Sequence, residues 1–143
     1  MTGIRKKLKA IKKRLHRLVS KTPKRKFYYG FFSKYCRLRP KWVLIESFHG
    51  QTVSDSGLVL AQEIARLYPG QYRVFYATED KKKHQAFVDA AGLQVELVDV
   101  TTFRYTRILA CAQHIFSNAS LPIYFIKRPG QVYMQTWHGT TLK

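Results

Sequence analysis

Apolar positions repeat with two different periods along the chain, and the change of period divides it. In the first segment Ile4, Leu8, Ile11, Leu15 and Leu18 recur at alternating spacings of four and three, with Lys and Arg filling most positions between them. That spacing puts the five on one stripe of a helix whose remaining surface is basic. The helix should end before Thr22-Pro23, because the residue ahead of a proline is pushed out of helical geometry. An aromatic stretch follows, from Phe27 to Trp42, in which Phe and Tyr are interleaved with Lys and Arg. Rings with an apolar body and a wet edge suit a lipid headgroup layer.

From Trp42 onward short apolar runs alternate with longer amphipathic ones. Strands are predicted over 42–48, 72–77, 93–100, 114–117 and 131–137, and helices over 57–67, over 80–91, and from Thr101 or Thr102 to about Ala112. Ser54, Asp55 or Ser56 should cap the first of these helices, and Gly92 should close the second. Helices between successive strands require parallel pairing with right-handed crossovers. The expected fold class is therefore α/β: an open, parallel, Rossmann-like sheet covered on both faces. The expected organisation is a basic amphipathic arm over 1–41 and an α/β domain over 42–143.

Charge sharpens that division. The formal net charge is +18, yet residues 1–41 hold sixteen of the 26 Lys and Arg and no Asp or Glu, leaving ten basic against eight acidic residues beyond. The basicity belongs to the arm, which fits either an anionic membrane surface or nucleic acid. The regular apolar stripe is superfluous for tracking phosphates, so the membrane is the expected partner and nucleic acid is not. No run approaches the ~20 apolar residues that span a bilayer, and no apolar signal-peptide core follows the first positive charges. A peripheral protein at the cytoplasmic face of the cell membrane is expected. The two cysteines, Cys36 and Cys111, have no second Cys or His at zinc-ligand spacing. They read as reduced thiols, and neither a metal nor a tightly bound cofactor is expected.

Open α/β sheets bind ligands at the carboxyl ends of their strands. Three stretches fall there: His49, Gly50, Ser54, Asp55 and Ser56 after the first strand, Asn118 after the fourth, and His138-Gly139-Thr140-Thr141 after the fifth. All three lie within two segments that carry a recognisable pattern. The segment SNASLPIYFIKRPGQVYMQTWHGTTLK, Ser117 to Lys143, and the loop SFHGQTVSDSGL, Ser47 to Leu58, resemble the CDP-glycerol glycerophosphotransferase family of teichoic acid primases and polymerases. The similarity covers about residues 42–143; Gly57 and Thr141 stand where that family commonly has proline.

The resemblance implies the amino-terminal, acceptor-side half of a two-domain GT-B-type enzyme, with the nucleotide-binding half beyond this chain. Such enzymes move glycerol phosphate, or a related polyol phosphate, from a CDP-linked donor to a hydroxyl of a lipid-linked acceptor and release CMP. It assigns His138 the role of general base, a task for which an imidazole titrating near neutrality is suited; a histidine closing the sheet without chemistry is the alternative. Gly139, Thr140 and Thr141 would offer amides and hydroxyls to phosphate, or simply cap a helix. Gly50 would allow close backbone approach, and Ser54, Asp55, Ser56, His49 and Asn118 would either touch the acceptor or hold their own loops. The fragment alone should be inactive, and a non-catalytic membrane-surface module remains compatible with the sequence.

Overall fold

A computed structural model of the chain describes residues 23–136. The predicted stripe of Ile4, Leu8, Ile11, Leu15 and Leu18, and the predicted site residues His138, Gly139, Thr140 and Thr141, lie outside the described residues. Within them, a helix over 23–35 (α1) leads into strand β1 (Arg39–Glu46) and a short turn at Phe48–Gly50. Helix α2 (Asp55–Leu67), strand β2 (Arg73–Thr78), helix α3 (Lys81–Ala90), strand β3 (Glu96–Asp99), helix α4 (Phe103–Cys111), and strands β4 (Ala112–Ser117) and β5 (Val132–Gln135) follow. All four strand pairings are parallel, in the order β3-β2-β1-β4-β5. The α/β class and the open parallel sheet expected from the sequence are what is observed.

Alternation along the central strands sorts the core into two layers, as a pleat with a period of two requires. Leu44, Phe75, Ala77, Val98 and Ile115 face α4 and α1. Val43, Ile45, Val74, Tyr76 and Leu97 face α2 and α3. Right-handed crossovers carry β1 to β2 and β2 to β3 in one direction, and α4 then brings the chain back across the opposite face to the far side of β1. The strand order therefore reverses between β1 and β4, which opens a crevice at their carboxyl ends.

Several boundaries move. Strand β1 begins at Arg39, inside the expected arm, and ends at Glu46 because Phe48 and His49 turn into left-handed backbone. The strand expected over 93–100 shortens to Glu96–Asp99, with Leu93 and Val95 packing beside it rather than in it.

Residues 23–41, expected as part of the arm, pack on the sheet. Tyr29 is 4% exposed within the core, where it contacts Tyr124 and Phe125, and its hydroxyl donates to the Ile126 carbonyl at 2.6 Å. Phe32 and Cys36 pack beside it, and Arg25 donates to the Val100 and Thr101 carbonyls. Positions 29, 32 and 36 form the inward stripe of a helix, while Phe27, Phe31 and Tyr35, four apart, point to solvent. The Lys and Arg scattered among these rings hide that period in the sequence.

Candidate functional site

The crevice is built from the bottom of β1 outward. Ser47, fully buried, shares a 2.5 Å hydrogen bond with the Tyr76 hydroxyl and donates to the Ser54 carbonyl at 3.0 Å, which pins the far end of the loop to the strand. The chain then reverses through Phe48 (φ 48°), His49 (φ 58°) and Gly50 (φ 83°). With Asp55 (φ 59°), Phe48 and His49 are the non-glycine residues of positive φ among the described residues. All three surround this crevice, and such backbone persists only where neighbours hold it.

Asn118, at the end of β4 and 2% exposed, is what holds it. Its Oδ1 accepts from the Phe48 amide at 2.8 Å and its Nδ2 donates to Asp55 Oδ2 at 2.8 Å, so one side chain clamps the Phe48 backbone and the Asp55 carboxylate across the β1–β4 gap. A second clasp joins Ser56 Oγ to Thr136 Oγ1 at 2.8 Å, while the Thr136 amide donates to the Ser117 carbonyl. The amino end of α2 is thereby tied to β4 and to the residue following β5. Beside these clasps lies a cleft of about 390 Å³ whose walls include Ser56, Leu60, Phe116, Asn118 and Thr136. An apolar floor with a polar rim can receive a ligand that carries hydroxyl groups at one end.

The predicted residues divide accordingly. Asp55 and Asn118 meet in one clasp, and Ser56 lies in the other, bonded to Thr136. His49 is exposed at the same sheet edge but outside both clasps. Gly50 approaches protein rather than open space: a Cβ there would lie 3.0 Å from Val100 Cγ1 and 3.1 Å from the Glu79 amide nitrogen, and its carbonyl accepts from that amide at 2.7 Å. Ser54 occupies the capping position of α2 without a side-chain cap bond, because its hydroxyl pairs with Thr52 Oγ1 at 2.7 Å. Thr102, by contrast, caps α4 through the Tyr105 amide. Sequence reasoning missed Ser47, Tyr76 and Thr136, whose hydroxyls have no local signature.

It also missed Glu46. This last residue of β1 is 3% exposed and receives the Tyr105 hydroxyl on Oε2. Burial pushes its carboxyl up to about 7, against the opposing pull of that hydrogen bond. Among the described residues no group of three His, Cys, Asp or Glu side chains is arranged to hold a metal ion.

Residues 28–143 match the sequence profile of the CDP-glycerol:poly(glycerophosphate) glycerophosphotransferase family. The chain belongs to that family. Its relatives in this glycerophosphotransferase family include the teichoic acid poly(glycerol phosphate) polymerase of Staphylococcus epidermidis, 32% identical over 84% of this chain and 16% of the relative. The protein of the same description from Bacillus subtilis is 27% identical over 96% of this chain and 17% of that one. Among solved structures, a variant of the wall teichoic acid polymerase TagF aligns with a TM-score of 0.72 at 29% identity, covering 98% of this chain and 32% of TagF. A TagF variant soaked with CDPG aligns at 0.71 and 28% identity. The chain thus spans about a sixth of the length of the curated relatives it matches and about a third of the solved ones.

Gly57 has a physical reason in the packing. A Cβ at this position would lie 2.6 Å from both Ser47 Oγ and the Tyr76 hydroxyl and 2.9 Å from Ile45 Cγ2. The Ser47–Tyr76 pair fills the space that a larger residue at 57 would need.

Proposed function

We propose that the chain supplies the acceptor-side half of a transferase that moves glycerol phosphate, or a related polyol phosphate, from a CDP-linked donor to a hydroxyl of a lipid-linked teichoic-acid-type acceptor. The acceptor oxygen attacks the phosphorus that bears the polyol, the bond from that phosphorus to the oxygen of CMP breaks, and CMP leaves. His138 accepts the hydroxyl proton as the new bond forms. Gly139, Thr140 and Thr141 turn amides and hydroxyls toward the transferred phosphate. Asp55, Ser56 and Asn118 form the acceptor side of the crevice, with His49 at its rim. Donor binding belongs to the carboxyl-terminal part of the full enzyme, which this chain does not span.

The observation that carries this reading is the pair of clasps at the reversal of strand order. They fix the first loop against the end of β4 and against Thr136, two residues before His138. Family membership supplies the chemistry, and a TagF variant soaked with CDPG supports a CDP-linked donor.

We place the protein peripherally at the cytoplasmic membrane face. Exposed Phe27, Phe31 and Tyr35, flanked by Lys24, Lys26, Lys34 and Arg37, extend the basic character of residues 1–22 onto the folded surface. Among the described residues no helix is long and apolar enough to cross a membrane.

The test is label transfer. A polypeptide joining this chain to the donor-binding half, given CDP-glycerol labelled in the glycerol and a lipid-linked glycerol phosphate acceptor, should label the acceptor and release one CMP for each label transferred. CMP release without acceptor labelling would make it a hydrolase and refute the reading.

A further inference from the structure

Cys36 and Cys111 are 75 positions apart in the chain and carry no shared motif, but the fold brings them together. Cys36 follows α1 directly and is half-buried; Cys111 ends α4 and is buried. Both belong to the core layer under α1 and α4, and the Cys36 side chain is near enough to Cys111 to help raise its thiol. Their backbones are clamped in that relation. Arg128 donates from Nη1 to the Ala110 carbonyl at 2.7 Å and from Nη2 to the Cys36 carbonyl at 2.8 Å, so a single guanidinium bridges the two corners. The Cys36 amide bonds to the Phe32 carbonyl, which continues α1 into the cysteine.

From this juxtaposition we propose that Cys36 and Cys111 are an oxidisable thiol pair, which closes to an intramolecular disulfide under peroxide and staples α1 to the junction of α4 and β4. The inference does not rest on the transferase reading. Access sets the order of events. Half-buried Cys36 meets peroxide first: its thiolate sulfur takes one oxygen, giving a sulfenic acid, and the peroxide is reduced to water. The Cys111 sulfur then attacks the Cys36 sulfur, the S–S bond forms, hydroxide leaves, and the Cys111 proton combines with it as a second water. In total two thiols and one hydrogen peroxide give one disulfide and two waters. Burial pushes the Cys111 thiol up to about 11, which the neighbouring Arg128 and Arg107 charges oppose. The second step therefore quickens as pH rises.

The consequence is a covalent tie between the sheet and the helix that carries the basic amino-terminal segment. It adds to the packing of Tyr29 and Phe32 and to the Arg25 and Arg128 hydrogen bonds that already hold this segment.

The test uses the native 143-residue chain treated with hydrogen peroxide, then denatured, alkylated and weighed intact. The wild type should lose both alkylatable thiols and about 2 Da, yield a peptide linking Cys36 to Cys111, and recover both thiols with dithiothreitol. Cys111→Ser should stop at a Cys36 sulfenic acid that dimedone traps, whereas Cys36→Ser should keep its remaining thiol. Wild type that retains both thiols, forms only dimers linked between chains, or over-oxidises Cys36 without a cross-link would overturn the proposal. That wild-type readout stands even where a variant fails to fold.

Discussion

Replacing Glu46 by Gln should stabilise the protein, and only above mildly acidic pH. In the fold this carboxyl sits 3% exposed at the end of the central strand, with the Tyr105 hydroxyl on Oε2, and is raised from 4.5 to about 7 by burial. The unfolded chain ionises it near 4.5, so between about 4.5 and 7 the native state holds a proton that the unfolded state has lost. Stability must then fall as pH rises through that window and level off above it. At about 1.4 kcal/mol for each pH unit, the full loss is roughly 3 kcal/mol. A glutamine amide still accepts the Tyr105 hydroxyl but cannot ionise, so Glu46→Gln removes the slope. Urea unfolding of both proteins at pH 4.5, 6 and 8 isolates the effect, since every other titration cancels in the difference. The variant should match wild type within about 1 kcal/mol at pH 4.5 and exceed it by roughly 3 kcal/mol at pH 8. A difference that stays flat across the range would show that Glu46 titrates in the fold as it does in the unfolded chain, and the reasoning from burial would be wrong.

Three further outcomes follow from particular contacts. Gly57→Ala should cost roughly 1–3 kcal/mol by overpacking, despite the ~1 kcal/mol by which helix propensity favours alanine, and Tyr76→Phe in the same chain should recover part of it. A neutral or stabilising Gly57→Ala in urea unfolding would contradict the steric account. Asn118→Ala removes both bonds of the clamp, to Phe48 and to Asp55, and should lower unfolding free energy by about 2 kcal/mol; unchanged stability would mean that the clamp does not hold the loop. The chain should co-sediment with anionic but not neutral vesicles, each basic residue near the surface contributing about 1 kcal/mol before screening. Leu8→Glu with Leu15→Glu, or Phe27→Ser with Phe31→Ser, should weaken this. Such substitutions are cleaner than deleting residues 1–41, which would also remove buried Tyr29 and the start of β1. Equal pelleting by all three proteins would remove both surfaces from membrane binding.

The parallel sheet was legible because its signals are local. Each strand is a short apolar run, each intervening helix spaces its apolar residues by three and four, and Thr102 caps where a threonine ahead of a helix should. The same pattern places the loops that carry the two clasps at the carboxyl ends of the strands. The inward face of α1 was not legible, since Tyr29 and Phe32 sit among basic residues and outward rings of the same kind. The internal order of the site was hidden for a different reason: Asn118 meets Asp55 across 63 positions and Phe48 across 70, and no periodicity encodes such pairings. Ser54 looked like a cap, but Thr52 two positions earlier takes its hydroxyl. The Ser47–Tyr76 and Glu46–Tyr105 contacts likewise arise only once β1 is set between β2 and β4.

The central claim, that this segment carries the base of a glycerophosphotransferase, is tested most directly by His138→Ala in the label-transfer assay with the donor-binding half attached. Losing a general base should depress turnover by at least ~10²-fold while donor affinity, measured separately by titration with CDP-glycerol, changes little. Turnover within a few-fold of wild type would take His138 out of the mechanism and leave the clasped crevice as a structural corner rather than an active site.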